Sequence, residues 1–319
     1  MHTIWQKLVA ELEAGRRVFL ALVIESTRGS PGTPSSALLV TGEGEQSGTI
    51  GGGCMEQNVY QQALDGLRNG RYATRISRLE HRNTGKDDAS GLICGGSQAN
   101  LLALVDPSQL AVAKTVAEHF RNDRAGVLTV MAETWAFESG RESVRSVWME
   151  QAGEWRVHLS THNRKRIAIF GGGHCGAALA RQMVRLGFLV ILIESRADLF
   201  TLDSLQQVTV LNTDTFAAGA ALVNYPELTF VVVLTPSAKQ DIDALSGTLN
   251  YPFPFIGVMG SRAKINMIRE SIQNIGFGDE HWQRVTAPVG LPIESDTPEE
   301  IAVSISAQIL DESRKLGLR

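Results

Sequence analysis

The sequence predicts an α/β protein in two parts: an N-terminal mixed α/β domain, residues 1–160, and a C-terminal doubly wound parallel-sheet domain, residues 161–319. Three observations predict the second part. The apolar run Ile167-Ala-Ile-Phe170 ends in Gly171-Gly-Gly173-His174-Cys175-Gly176, and helical periodicity follows at once. A second apolar run, Phe188 to Ile193, ends in the acid Glu194. Strand-like and helical segments then alternate, as they do when parallel strands are joined by helices. This is the order of parts in a Rossmann-like dinucleotide-binding βαβ unit. The first glycine permits a tight turn, the second lets backbone approach a phosphate, and the third lets helix pack on strand. The N–H groups at the helix start suit an anion, and the acid suits a ribose diol.

The elements read in order as follows. Ile4, Trp5, Leu8, Val9 and Leu12 recur at helical spacing, and Gly15 ends that helix. Val18 to Ile24 is an apolar strand, Gly29 to Pro34 a loop, and Ala37 to Val40 a short strand turned by Gly42-Glu-Gly44. A helix follows Gly51-Gly52-Gly53-Cys54, with Met55, Val59, Leu64 and Leu67 on one side and Gly70 as its stop. Strands are expected at Arg75 to Leu79 and Ala99 to Val105, and a helix over 109–121. Further strands are expected near 126–132, 144–149 and 154–159. The basic stretch Ser160 to Arg166 marks the boundary. Beyond it, strands are expected at 167–170, 188–193, 207–211, 229–234 and 254–258, with helices at 175–186, 238–249 and 262–275. In the last helix Thr297 is placed to cap, Pro298 suits the first turn, and Glu300 completes a capping box.

Composition narrows the function. Apolar residues make up 43% and charged residues 20%, enough for sizeable cores. A net charge of −4 argues against a dedicated nucleic-acid binder. No apolar run is long enough to span a bilayer, and the first residues do not read as a secretory signal. Three cysteines without a Cys-x-x-Cys point to free thiols in a reducing cytoplasm.

Two glycine turns, Gly51-Gly52-Gly53-Cys54 and Gly171-Gly172-Gly173-His174-Cys175, each open a helix. Each is expected to offer backbone donors and a positive helix end to an anion. A thiol beside such an end is expected to have a lowered pKa. Cys94-Gly95-Gly96 adds a third thiol beside glycines. Gly257-Val-Met-Gly-Ser261-Arg262 ends one strand and begins a helix, which puts Ser261 and Arg262 on the same sheet edge as the Gly171 loop and within reach of a phosphate. Zinc coordination by His174 and Cys175 lacks further ligands. No Gly-x-Ser-x-Gly elbow is present. Asp87-Asp88 reads as a solvated loop, and no convincing acid/base pair emerges.

With these residues in view, the chain resembles the xanthine dehydrogenase accessory protein family of XdhC/CoxI type. In the N-terminal part the resemblance rests on Gly29-Ser-Pro31, Gly48-Thr-Ile-Gly51-Gly52-Gly53-Cys54-Met-Glu56 and Gly91-Leu-Ile-Cys94-Gly95-Gly96. In the C-terminal part it rests on Ile169 to Gly176, Glu194-Ser-Arg196, Ile256 to Arg262, Pro288 to Pro292 and Thr297 to Ala302. The resemblance implies a cofactor chaperone, commonly dimeric, rather than a conventional enzyme. Its cargo is the molybdenum cofactor, a pyranopterin dithiolene bearing a phosphate, in mononucleotide or dinucleotide form. Its partners are a cysteine desulfurase, which exchanges an oxo ligand for sulfur, and an apo-molybdenum hydroxylase of the xanthine dehydrogenase or aldehyde oxidoreductase type.

Placed on this sequence, that role makes Cys54 the first candidate to contact or shield the molybdenum and Cys94 the second, since thiolates are soft ligands. The Gly51 to Glu56 segment and Gly95 frame these thiols. Gly171, Gly173, His174 and Gly176 take phosphate or nucleotide, assisted by Ser261 and Arg262, and Glu194 reads a ribose. The chain departs from the family in its first loop, Pro31-Gly-Thr-Pro34, where a basic residue is usual. It also departs after Thr235, where Pro236 to Asp241 lacks the usual histidine and keeps the later acid. The rival readings are an NAD(P)-dependent oxidoreductase, which here lacks an identified proton donor, and a nucleotide-binding regulatory protein.

Overall fold

The computed structural model describes residues 2–27, 29–34, 36–80, 96–140, 147–151, 154–161, 165–196 and 198–316. The chain divides into two compact units, Met1–His162 and Asn163–Arg319. Cys94 and Gly95 lie outside the described residues, as does the Asp87-Asp88 loop.

In the first unit, α1 (His2–Glu13) precedes β1 (Val18–Ser26), β2 (Ala37–Thr41) and β3 (Gln46–Gly48). Then come α2 (Gly53–Asn69), β4 (Arg75–Glu80), β5 (Ser97–Val105) and α3 (Leu110–Arg121). The strands β6 (Gly126–Val130), β7 (Trp135–Ser139), β8 (Val147–Gln151) and β9 (Glu154–Ser160) complete it. One sheet runs β3-β2-β1-β5-β4 and the other β7-β6-β9-β8. Every pairing in both is antiparallel.

Strand alternation sorts the five-stranded sheet into two apolar faces. Leu20, Leu22, Leu39 and Leu101 join α1, α3 and the second sheet in one core. Phe19, Ala21, Leu38 and Leu102 meet Met55, Val59 and Ala63 of α2 in another. Leu64 and Leu67 pack at the margin of that second core. The expected strand near 144–149 falls at Val147–Gln151, and Trp135–Ser139 is a strand that the sequence pattern does not announce. The latter alternates between half-buried and exposed side chains, so it carries a weak apolar signal.

The second unit mostly alternates strand and helix: β10 (Arg166–Phe170), α4 (His174–Arg185), β11 (Leu189–Glu194), β12 (Val208–Asn212), α5 (Phe216–Ala220) and β13 (Thr229–Val233). It continues with α6 (Ala238–Thr248), β14 (Phe255–Val258), α7 (Arg262–Asn274), α8 (Asp279–Trp282), β15 (Val285–Thr286) and α9 (Pro298–Lys315). All six strands are parallel, in the order β12-β11-β10-β13-β14-β15. This is the doubly wound order of the dinucleotide-binding fold, as the sequence predicts.

The central strand β10 is buried along its whole length. Ala168 and Phe170 face α5, α6 and α7. Ile167 and Ile169 face α4 and α9. Thr297 and Glu300 form the expected capping box at the start of α9, with Pro298 in its first turn.

This topology positions the site. From β10 the chain winds outward through β11 and β12, then returns to the other side of β10 as β13. The loops after β10 and β13 therefore diverge at the carboxyl edge, where doubly wound folds hold ligands.

Candidate functional site

The Gly171 loop follows β10 at that edge. Gly171 has φ +109°, a conformation that favours glycine, and its amide donates to the Ile193 carbonyl at 2.9 Å. Gly176 is fixed by packing, because a Cβ there would overlap the Gly171 carbonyl oxygen. Gly173 differs from both. Its φ of −63° suits any residue, and a Cβ built on it would meet nothing within 4 Å. Neither backbone strain nor packing inside the protein calls for glycine at this position. What its bare face provides is room over the start of α4.

No side chain caps α4. The first helical bond is donated by Ala177 to the Gly173 carbonyl, 2.8 Å away. The four amides before it carry no acceptor among the described residues. These amides stay open beside a glycine whose side-chain position is empty.

Glu194 corrects an expectation. Instead of facing a ribose, its carboxylate is fully buried. Oε2 accepts the Gly172 amide at 2.7 Å, and Oε1 accepts the amides of Ser195 and Arg196. The Arg196 guanidinium grips both oxygens, at 3.0 and 2.8 Å. Burial pushes the Glu194 carboxyl up, but the Arg196 side chain and the Gly172 and Arg196 amides outweigh it and hold the group below its usual range. In this conformation Glu194 braces the glycine turn, and the half-exposed Arg196 is the polar group at the end of β11.

Thr201 locks the next segment to the same turn, its hydroxyl donating to the Gly172 carbonyl at 2.5 Å. His174, exposed in the first turn of α4, meets the Phe200 ring edge to face, with centroids 5.7 Å apart. Cys175 also departs from expectation. Desolvation by burial, with a contribution from the Glu299 carboxylate, pushes its thiol up rather than down.

On the other side of the crevice, Gly171 abuts Leu234 and Thr235. The Thr235 hydroxyl donates to Asp241 Oδ1 at 2.6 Å. Asp241 is wholly buried, and its Oδ2 lies 2.5 Å from Lys264 Nζ. Asp241 comes from α6 and Lys264 from α7, so sequence spacing concealed this pair. The Ser261 hydroxyl is engaged as the cap of α7, accepting from the Lys264 amide at 3.3 Å. Arg262 is exposed and has no partner among the described residues.

The Gly51 turn, in the first unit, is built differently. Gly51, Gly52 and Gly53 all have positive φ, at +124°, +74° and +67°. Glu56, one helical turn on, folds back over them. Its Oε2 accepts from Thr49 Oγ1 at 2.6 Å, the Ile50 amide at 2.8 Å and the Gly52 amide at 3.1 Å. Burial raises the Glu56 carboxyl, but these donors and the Gly51 amide prevail and lower it overall.

The protein's own carboxylate thus occupies part of the cradle that the sequence offered to a ligand. Gly53 and Cys54 remain exposed at the start of α2. The buried Gln98 pins the turn from below. Its Nε2 donates to the Ile50 carbonyl at 2.9 Å, while Oε1 accepts from the Gly32 amide and the Ser30 hydroxyl. The sequence signal for Gln98 was a polar residue entering the apolar run that forms β5. Among the described residues, no three His, Cys, Asp or Glu side chains cluster to hold a metal. No described helix is long and apolar enough to cross a membrane.

Both halves match known families. The family model described as "XdhC Rossmann domain" matches residues 167–309, and that described as "XdhC and CoxI family" matches 11–78. The chain is 27% identical over 310 residues to "Uncharacterized protein YqeB" of Escherichia coli (strain K12), covering 94% of this chain but 44% of that protein. It therefore spans less than half the length of that relative. It is 21% identical to a probable xanthine dehydrogenase subunit of Bacillus subtilis (strain 168), covering 98% of each. A crystal structure described as a xanthine dehydrogenase from Bacillus halodurans superposes with a TM-score of 0.72. That likeness covers 98% of this chain and 96% of the other at 20% identity, which shows the fold.

Proposed function

Because the chain belongs to the XdhC and CoxI family, we propose that it is a chaperone of the molybdenum cofactor, supporting sulfuration and insertion of that cargo into a molybdenum hydroxylase. The name of the Bacillus subtilis relative supports a client of the xanthine dehydrogenase type. The observation that carries the reading is Gly173. Its side-chain position is open, its backbone is unstrained, and it borders four unclaimed amides at the start of α4. A phosphate fits that chemistry.

Within the first unit, Cys54 offers an exposed thiol of the soft class that suits a labile metal centre. Glu56 holds the turn that carries Cys54. The cargo supplies the redox chemistry of the finished hydroxylase; this chain binds, shields and releases it. In this reading a cysteine desulfurase and the apo-hydroxylase are the partners, and the working form is a homodimer.

The test is purification from a molybdate-replete host, followed by oxidation and measurement of pterin fluorescence. The reading expects fluorescence with the wild-type chain, less with Cys54→Ser, and none with Gly173→Asp. Wild-type protein free of pterin overturns it.

A second reading, an NAD(P)-dependent oxidoreductase, gains from the Asp241–Lys264 pair. The pair places an ammonium, backed by a buried carboxylate, in the crevice where the sequence showed no proton donor. A substrate-dependent change in nicotinamide absorbance that Lys264→Met abolishes is its signature.

A further inference from the structure

Among the described residues Phe200 is the most exposed large apolar side chain, at 70%, although Leu199, Thr201 and Leu202 beside it are anchored. It begins a short 3-10 turn, Phe200–Leu202, on the carboxyl edge of the sheet. Thr201 is buried and bonds to the Gly172 carbonyl at 2.5 Å. Leu199 and Leu202 press on the face of Gly172, where a Cβ would come within 3.2 and 2.8 Å of them. The residues on both sides of Phe200 are therefore clamped onto the glycine loop, and the ring is held outward against its hydrophobic preference. His174, in the first turn of α4, meets it edge to face at 5.7 Å and fixes the ring plane.

We propose that Phe200 is a stacking platform for the planar heterocycle of the ligand whose phosphate lies at the start of α4. The ring, not the phosphate, belongs at Phe200. Asp198 and Asp203 are exposed on either side and repel an anion, whereas an aromatic face receives any flat ring. The same acids disfavour an anionic lipid surface. The ligand class is thus a phosphorylated purine, pyrimidine or pterin. The inference rests on the phosphate reading above, and its test separates the two.

The full-length chain is titrated calorimetrically with inorganic pyrophosphate and with ADP, GDP and CDP, which carry the same diphosphate on three different rings. At least one nucleoside diphosphate is expected to bind more tightly than pyrophosphate. In Phe200→Ala that advantage falls by about tenfold or more, the size of a lost base–aromatic stack, while pyrophosphate is unaffected. Phe200→Trp retains the advantage, and its indole emission is quenched on binding.

Equal affinity of Phe200→Ala and wild type for all three nucleotides overturns the platform. So does a wild-type chain that binds none of them better than pyrophosphate. Nucleotide binding that depends on Phe200 without any pyrophosphate binding supports the platform and removes the phosphate cradle. Binding of nothing removes both. Sedimentation of the same variants covers the remaining occupant: a dimer lost in Phe200→Ala with nucleotide binding unchanged makes the ring a contact with a second copy and overturns the proposal.

Discussion

The Gly172 amide donates to Glu194 Oε2 at 2.7 Å, so the acid that ends one strand holds the glycine turn that ends its neighbour. The Gly51 turn repeats the device, with Glu56 accepting from the Gly52 amide at 3.1 Å. In each triple glycine the middle amide is satisfied from within. The amides beyond it open the following helix.

Gly173 and Gly176 should respond oppositely to substitution. Gly173→Asp puts a side chain into open space with an acceptable φ, so the melting temperature should stay within about 2 °C while phosphate and cofactor binding are lost. Gly176→Ala drives a methyl into the Gly171 carbonyl and should cost about 1–3 kcal/mol, read as a lower denaturant midpoint. Binding that survives Gly173→Asp would remove the cradle from the site.

The braced carboxylates predict an acid-sensitive fold. Glu56 and Glu194 are both held below their usual range in the folded chain. Between the folded and unfolded pKa values the unfolded state binds more protons, so stability rises with pH. Their contribution is complete above about pH 4.3 and is lost as pH falls through the lowered folded values. Glu194→Gln should flatten the acid limb of a plot of stability against pH. A limb of unchanged slope would show that other groups govern it.

The thiols should react in a set order. Cys54 is exposed, whereas Cys175 is half-buried with its thiol pushed up by desolvation. Iodoacetamide at neutral pH should therefore label Cys54 well before Cys175, as read by peptide mass mapping. The reverse order would contradict the burial of Cys175.

Removing Lys264 should strand a buried carboxylate. Lys264→Met is expected to cost about 2 kcal/mol, less than for a fully buried pair because the ammonium is partly exposed to water. Adding Asp241→Asn should recover part of the loss, which a double-mutant cycle in urea measures. Strict additivity would show that the two groups do not interact.

Much of the fold was legible in the sequence because it is written in short-range patterns. The 3.6-residue period marked α1 and α4, the Gly171 to Gly176 spacing marked the βα turn, and Thr297 with Glu300 marked the start of α9. Signals of this kind depend on neighbours within a turn or two. The short strands β3, β7 and β15 were not legible. They are two to five residues long, too short to show a period; β3 and β7 pair with the strands just before them, and β15 pairs with β14, some thirty residues back.

The site divides in the same way. Local pattern alone was enough to place Gly171, Gly173, Glu194, Ser261 and Arg262 along the carboxyl edge of the parallel sheet. Tertiary structure decided what each can do there. Glu194 turns inward because the Gly172 amide and Arg196 outbid water for its oxygens. Asp241 meets Lys264 because parallel strands carry the starts of α6 and α7 to one edge. Phe200 faces outward because its neighbours are clamped to the glycine loop. Local pattern fixes where a side chain is attached; competition among groups far apart in the chain fixes which of its partners it finds.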